Sequence, residues 1–176
     1  MKFKPSYTSS IAEDIMAERL IRAQAVEFLA DAPMRLKSGL ISPVYVDNRK
    51  LFSHPEAWRD IVETMASRVE EYDLEFDIVA GVEAAGSMHA AALAYRLGLP
   101  AIMVRQKAKT YGNHSRIEGG DVKGLRVLLL EDHISTGLSC LDAIRALREE
   151  GAQVTQVMSI TNYAIPETQR LFKQEG

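Results

Sequence analysis

Two adjacent carboxylates followed by a hydroxyl-bearing loop are the clearest candidate for a chemical site in this sequence. Glu131 and Asp132 come directly after the apolar residues 127–130, and the polar stretch 133–139 follows them. Neighbouring carboxylates can accept hydrogen bonds from the vicinal hydroxyls of a ribose, or face a divalent cation through water. A loop that opens a helix can bind a phosphate through its N–H groups. The pattern therefore predicts a site for a sugar phosphate.

The loop after the acidic pair carries the groups that a phosphate requires. Ser135, Thr136 and Ser139 supply hydroxyls, and Gly137 allows the backbone to approach a ligand closely. The structural alternative is an ordinary buried strand, a turn and a capped helix, in which Ser and Thr are common. Such a turn requires at most one acidic residue, so the adjacent carboxylates favour a binding function.

Length and composition predict one domain over residues 1–176. The chain is 47% hydrophobic and 26% charged, which is typical of a globular protein with a sizeable core. Its net charge of −3 favours neither nucleic acid nor an anionic membrane, and its apolar stretches are too short to cross a bilayer. Cys140 is the single cysteine, so no internal disulfide can form, and no apolar signal core follows Met1. We therefore expect a cytoplasmic protein.

Alternating hydrophobic periods predict an α/β fold with a mostly parallel sheet flanked by helices. Helical spacing covers about 10–30, 58–69, 88–95, 138–150 and 166–174, and strand patterns cover 42–47, 76–80, 101–104, 126–130 and 154–160. Residues 106–120 have no period and predict an exposed loop, which at this length is uncommon unless functional. Ligands of such sheets bind beyond the carboxyl ends of the strands.

Two further loops follow predicted strands at that edge. Residues 81–86 have the glycine spacing of a phosphate-binding P-loop but lack its lysine, so they predict at most a turn that presents N–H groups. Residues 105–109 form a basic run that could neutralise charge on a leaving group. The structural alternatives are a tight turn and a solvated charge run. The four histidines lack metal-ligand spacing, and we expect His89 and Cys140 to be buried.

Together these motifs resemble the type I phosphoribosyltransferases, and in detail those that act on orotate. Residues 131–139 resemble the diphosphoribose-binding motif, and residues 81–86 resemble the pyrophosphate-side loop. Residues 36–47 resemble the segment that helps to hold the base, and residues 104–112 resemble the catalytic hood loop. The resemblance implies the type I phosphoribosyltransferase-like fold, with residues 1–50 as an N-terminal base-binding hood segment of helix and strands.

The resemblance also implies a reaction and a set of site residues. The ribose 5-phosphate group of 5-phosphoribosyl diphosphate would pass to orotate, giving orotidine 5′-monophosphate and pyrophosphate in pyrimidine biosynthesis. Mg²⁺ would be held mainly by substrate and water, and a homodimer would place each hood loop over the neighbouring site. The implied catalytic residues are Lys109, Glu131 and Asp132. The implied substrate-binding residues are Lys37, Arg105, Gln106, Lys109, Tyr111, Glu131, Asp132, His133, Ile134, Ser135, Thr136, Gly137, Leu138 and Ser139.

The sequence departs from the pattern of this family at several positions. Gln106 stands where a lysine is common, Leu138 where a second glycine is frequent, and His133 where an aliphatic residue is usual. Asn162 lies near the place where many members have an orotate-binding arginine. Two alternatives therefore stay open, namely a phosphoribosyltransferase for another base and a non-catalytic nucleotide-sensing protein on the same fold. The loop 134–140 has no aromatic residue to cover a purine, which favours a pyrimidine.

Overall fold

The computed structural model describes residues 11–36, 39–108 and 115–176. A helix comes first and is followed by four short strands. The rest of the chain consists of the other helices and the strands of the central sheet. The helices are α1 Ile11–Arg22, α2 Pro55–Glu71, α3 Ala85–Leu97, α4 Leu138–Glu149 and α5 Pro166–Glu175, with a 3-10 helix at Asn48–Ser53. The strands are β1 Val26–Phe28, β2 Met34–Arg35, β3 Ile41–Ser42, β4 Val44–Val46, β5 Ile78–Val82, β6 Ala101–Val104, β7 Ile117–Glu118, β8 Arg126–Ile134 and β9 Gln153–Asn162.

The central sheet has five strands in the order β7-β6-β5-β8-β9. β6, β5, β8 and β9 run parallel, and only β7 pairs antiparallel, with β6. The mostly parallel α/β architecture expected from the sequence is therefore confirmed. Because the four parallel strands point the same way, the loops that follow them leave the sheet at one edge. Among the described helices, none is both long enough and apolar enough to cross a membrane.

β8 forms the centre of the molecule and contributes to the hydrophobic core on each face of the sheet. Val127 and Leu129 pack on the side of α4, whereas Leu128 and Leu130 pack on the side of α2 and α3. All four are 2% exposed or less. This alternation follows from the two-residue period of a strand, and burial on both faces is typical of a parallel sheet. Because β8 is packed on both faces up to Leu130, it holds the residues that follow Leu130 in a fixed position.

The N-terminal segment differs from the sequence-based expectation. Helix α1 ends at Arg22, so the helix predicted over residues 10–30 was wrong beyond that point. Gln24 has a φ of +54°, outside the helical range, and the chain then enters β1. β1 pairs antiparallel with β4, and the Asp47 N–H donates to the Ala25 carbonyl at 2.8 Å. Pairing with a distant strand has overridden the local helical period.

Two strands differ from the prediction near the site. β8 continues to Ile134 instead of ending at Leu130, because β9 pairs with Glu131, His133 and Ile134. The stretch 106–120, expected to be an exposed loop, contains the short strand β7, and Ile117 within it is buried. Each place has a single isoleucine among polar residues, so hydrophobic periodicity could not indicate either strand. The predicted burial of His89 and Cys140 is confirmed.

Candidate active site

The loops that follow β5, β6 and β8 meet at the carboxyl edge of the sheet. Gly86, in the first turn of α3, lies against the end of β8. A Cβ atom at this glycine would stand 2.8 Å from the Leu130 carbonyl oxygen and 3.2 Å from Glu131 Oε1. The first of these separations is too short for any side chain, so glycine permits the contact. The loop after β5 is thereby held next to the acidic pair.

The acidic pair consists of one buried and one half-buried carboxyl group. Glu131 is 8% exposed, and its Oε1 accepts a hydrogen bond from the Asp132 N–H at 3.1 Å. Burial raises the pKa of Glu131 above its ordinary range, and the hydrogen bond and charge of the Asp132 carboxylate raise this pKa further. A protonated Glu131 can donate a hydrogen bond as well as accept one. Asp132 is then the more accessible carboxylate of the pair.

The loop between β8 and α4 is supported from behind by α5. Gly137 has a φ of +77°, and a Cβ atom there would stand 2.8 Å from the Phe172 ring and 2.9 Å from Thr168 Cγ2. The Thr168 hydroxyl donates to the Ser135 carbonyl at 3.0 Å. α4 begins at Leu138, so its first N–H groups face the loop without partners in their own helix. This arrangement suits an anion at the positive end of α4.

A cavity of about 200 Å³ lies on the α5 side of this loop. Its walls come from the end of β8, from β9 and from α5, and they do not include Glu131 or Asp132. The cavity is therefore separate from the acidic pair. Its lining residues are Ile134, Ser135, Val157, Ser159, Asn162, Ala164, Ile165, Thr168, Gln169 and Phe172.

The end of β6 is tied both to β7 and to the loop after β5. An Nη atom of Arg105 donates to Glu118 Oε1 at 3.0 Å, and the Arg105 N–H donates to the Arg116 carbonyl at 2.8 Å. The Gln106 N–H donates to Glu83 Oε2 at 3.1 Å, and the Gln106 side-chain amide donates to the Glu83 carbonyl at 3.2 Å. The start of the basic run is thus fixed to the neighbouring loop.

Comparison with known proteins decides the family. A model of the phosphoribosyl transferase domain matches residues 47–171. The orotate phosphoribosyltransferase of Coxiella burnetii is 46% identical over 157 residues, which cover 89% of this chain and 75% of that protein. The chain belongs to the orotate phosphoribosyltransferase family. The Bacillus subtilis member is 38% identical over 164 residues, which cover 93% of this chain and 76% of that protein.

Solved structures of orotate phosphoribosyltransferases have the same fold. The enzyme from Aeropyrum pernix superposes with a TM-score of 0.77 at 30% identity, covering 91% of this chain and 88% of that one. The Mycobacterium tuberculosis enzyme in complex with 5-phospho-α-D-ribosyl 1-diphosphate gives a TM-score of 0.68 at 26% identity, covering 93% of this chain and 90% of that one. The resemblance inferred from the motifs is therefore confirmed for both the family and the fold.

The structure brings together most of the site residues expected for a phosphoribosyltransferase. Residues 131–139 form one continuous segment from β8 into α4, with Leu138 and Ser139 exposed at the start of that helix. The side chains of His133 and Ile134 make contacts with other residues of the protein. The His133 ring contacts the Tyr163 ring at a centroid distance of 4.4 Å, and Ile134 packs against the core on the α4 side. Lys37, Lys109 and Tyr111 lie outside the described residues, so their expected roles stay predictions.

Two residues that make contacts around the site, Asn48 and Glu83, were not predicted from the sequence. Asn48 is fully buried, and its amide nitrogen lies 2.6 Å from the Asp132 carbonyl oxygen and 2.7 Å from Thr161 Oγ1. Glu83 is the acceptor for both hydrogen bonds of Gln106. The only sequence signal at Asn48 is a polar residue after a strand, which indicates a helix start. Its contact with β8 joins residues 84 positions apart in the sequence, and local sequence patterns cannot predict a contact between such distant residues.

The acidic pair fits Mg²⁺ only as a partial ligand set. Within the described residues, no group of three or more His, Cys, Asp or Glu side chains is arranged to hold a metal ion. Mg²⁺ commonly keeps several waters and binds through one or two carboxylates together with substrate phosphates. The Asp132 and Glu131 carboxyl groups match that mode, in which the substrate supplies most of the oxygen ligands.

Proposed function

We propose that this chain transfers the ribose 5-phosphate group of 5-phosphoribosyl diphosphate to orotate, forming orotidine 5′-monophosphate and pyrophosphate. The observation that carries the proposal is the continuous segment 131–139. It places the carboxyl groups of Glu131 and Asp132 one loop away from the N-terminus of α4. A ribose 5-phosphate carries hydroxyls and a phosphate in one small molecule, so neighbouring parts of this segment could bind both groups. The names of the relatives give independent support.

Each part of the site has a chemical role in this proposal. Asp132 accepts hydrogen bonds from the ribose hydroxyls, while Glu131 can donate or accept one. Residues 135–139 bind the 5′-phosphate through hydroxyls and the N–H groups at the start of α4. Arg105 and Lys109 stabilise the pyrophosphate, and Lys37 contacts the orotate. Lys109 is the catalytic cation, because charge on the leaving group grows as the reaction proceeds.

The reaction exchanges one bond at C1 of the ribose. The bond from C1 to the diphosphate oxygen breaks, a bond from C1 to N1 of orotate forms, and the N1 proton passes to the departing pyrophosphate or to water. Positive charge develops on the ribose and negative charge on the pyrophosphate during this exchange. Mg²⁺ bound by substrate oxygens, water and the acidic pair would neutralise part of the diphosphate charge. Preorganised cations and carboxylates then stabilise both developing charges without reorganisation.

We further propose that the enzyme is a cytoplasmic homodimer in which the hood loop, residues 104–112, reaches the neighbouring active site. Arg105 and Gln106 fix the start of this segment to β7 and to the loop after β5. The segment therefore leaves the sheet edge in a defined direction. A loop anchored in this way can close over a bound ligand and exclude water. The single cysteine, Cys140, is buried and unpaired, which suits a reducing compartment.

A phosphoribosyltransferase for another base is the second candidate. Thr161 and Tyr163 stand near the place of the family's orotate-binding arginine, and both make contacts within the protein. The Tyr163 hydroxyl donates to the Val44 carbonyl at 3.0 Å. The orotate carboxylate would then depend on Lys37 and on backbone N–H groups. A different base would need no such cation.

The test mixes the protein with Mg²⁺, 5-phosphoribosyl diphosphate and orotate and follows the ultraviolet absorbance of orotate. We expect the absorbance to fall only when the diphosphate is present, and to fall roughly a hundredfold more slowly with Asp132→Asn. Uracil, hypoxanthine and adenine serve as competing bases in parallel reactions. No change with orotate, combined with calorimetric binding of 5-phosphoribosyl diphosphate, would refute the orotate assignment. Turnover of another base would then support the second candidate, and no turnover of any base would indicate a nucleotide-sensing protein.

A further inference from the structure

Asn48 connects the N-terminal part of the chain to the acidic pair through a fully buried amide. Its side-chain nitrogen lies 2.6 Å from the Asp132 carbonyl oxygen and 2.7 Å from Thr161 Oγ1. The Asp132 carbonyl can only accept, so the contacting atom must be the donating nitrogen of the amide. This fixes the orientation of Asn48. One N–H bond of the amide is then directed at the end of β8 and the other at the end of β9.

The network continues from Asn48 through Thr161 to His133. Thr161 Oγ1 accepts from the Asn48 amide and lies 2.9 Å from His133 Nδ1. Because Thr161 Oγ1 accepts from the Asn48 amide, the Thr161 hydroxyl can donate its own proton to His133 Nδ1. Asp132 is therefore flanked by two groups held in one hydrogen-bonded chain. Such chains restrict the geometry of every member.

The contact occurs where the sheet no longer supports β8 on one side. β5 pairs with β8 only as far as the Gly81–Leu130 pair, and β5 then turns into the loop before α3. Asn48 reaches the Asp132 carbonyl two residues beyond that point. It belongs to the 3-10 helix Asn48–Ser53, whose Leu51 is fully buried in the core on the α2 and α3 side. The 3-10 helix thus supports the part of β8 with which β5 no longer pairs.

We propose that Asn48 is a positioning residue that holds Asp132 in place for binding of the ribose, with Thr161 as its second anchor. This inference deepens the proposed function and rests on it, because it assigns the ribose hydroxyls to Asp132. Loss of the amide would let the Asp132 backbone move while leaving the carboxylate chemically intact.

The experiment measures the binding of 5-phosphoribosyl diphosphate with Mg²⁺ by calorimetry, and the KM of each substrate, in four variants. Asn48→Asp keeps the shape of the side chain but directs an acceptor at the Asp132 carbonyl, and Asn48→Ala removes the donor. We expect both variants to weaken diphosphoribose binding by on the order of tenfold or more. Thr161→Val keeps the size but lacks the hydroxyl and should weaken binding less. Thr161→Ser restores the hydroxyl and should bind like the wild type.

Leu51→Ala provides the control for a merely structural effect. It weakens the packing of the same 3-10 helix without removing the amide. We expect Leu51→Ala to lower the melting temperature while leaving diphosphoribose affinity within about twofold of the wild type, since the Asn48 donor remains. The KM for orotate should change little in Asn48→Asp relative to the KM for the diphosphate.

Two results would overturn the positioning role. One is unchanged diphosphoribose affinity in Asn48→Asp and Asn48→Ala. The other is a loss of diphosphoribose affinity in Leu51→Ala as large as in the Asn48 variants for the same fall in melting temperature, with the KM values of both substrates rising together. If the wild type binds the diphosphate but does not consume orotate, the proposed function fails on its own. The affinities of the same variants for the diphosphate then still decide the role of Asn48.

Discussion

A carboxyl group buried beside a second carboxyl group is the residue-scale feature that most affects the chemistry of this site. Glu131 is 8% exposed and interacts with Asp132 through a hydrogen bond and charge. Desolvation makes its ionised form costly, and the neighbouring negative charge adds to that cost. The pair therefore carries less negative charge than two independent carboxylates would carry. An anionic substrate meets correspondingly weaker repulsion.

The buried state of Glu131 predicts a pH dependence of stability. Its pKa in the folded protein lies above the ordinary value of 4.5, so the folded state binds this proton more tightly than the unfolded state. The stabilisation is complete below pH 4.5 and is lost as pH rises through the folded-state pKa. We expect the free energy of unfolding of the wild type to fall by roughly 1 kcal/mol or more between pH 5 and pH 8, relative to Glu131→Gln.

Urea denaturation of both proteins at several pH values measures this difference. Glu149→Gln changes an exposed glutamate on α4 and serves as the control, so its curve should run parallel to that of the wild type. A constant gap between Glu131→Gln and the wild type across this range would show that Glu131 has no unusual affinity for its proton in the folded state.

The loop between β8 and α4 is the feature that matters at the scale of elements. Its conformation depends on a contact with α5 that no local pattern indicates. Gly137 has left-handed backbone geometry, and it faces Phe172 and Thr168 with no room for a Cβ atom. The position of α5 and the position of the N-terminus of α4 are therefore linked through one glycine.

Gly137→Ala should disturb this loop for two reasons, namely the positive φ that alanine would have to adopt and the steric clash of its Cβ atom. Gly124 has the same φ of +77°, yet a Cβ atom there would have nothing within 4 Å. Gly124→Ala thus measures the cost of a left-handed alanine, which is about 1 kcal/mol. We expect Gly137→Ala to cost more in free energy of unfolding, and to weaken diphosphoribose binding, because its Cβ must displace Phe172 or Thr168. Equal losses of stability in the two variants, with unchanged binding, would refute the steric account.

Elements with a strong hydrophobic period could be predicted from the sequence, and those stabilised by distant partners could not. α2, α3 and α4 have apolar stripes that face the core, and the structure confirms them. β1 follows α1 without a break in hydrophobic spacing, and only its pairing with β4 makes it a strand. In the site, the segment 131–139 was predictable because its residues are adjacent in sequence. Asn48 was not, because its partners are far along the chain.

The proposed homodimer raises the question of how its two subunits are arranged. The proposed hood loop and the acidic pair belong to different parts of the site, so they can come from different chains. A symmetric dimer would then contain two composite sites. Mixing two impaired variants distinguishes a shared site from one built within a single subunit.

Lys109→Ala and Asp132→Asn should each lower turnover by roughly a hundredfold, since removal of one preorganised charge costs roughly 3 kcal/mol in the transition state. Equal amounts of the two variants, mixed and allowed to exchange subunits, should recover roughly a quarter of the wild-type activity. Half of the dimers would be hybrids, and one of the two sites in each hybrid would be intact. Lys107→Ala mixed with Asp132→Asn provides the control, because Lys107 has no proposed catalytic role. No recovery, with exchange confirmed by mass spectrometry of intact dimers, would show that each hood serves its own subunit.

The position of β8 between the two hydrophobic cores has a consequence for directed evolution of this enzyme. Leu129 and Leu130 are fully buried on opposite faces, and the acidic pair begins one residue later. Any substitution that repacks either core displaces the same strand and hence the carboxylates. Selection for heat resistance should therefore accept few changes in β8. Stabilising substitutions should accumulate instead on the outer surface of α2 and on the outer surface of the C-terminal half of α4, away from the carboxyl edge of the sheet.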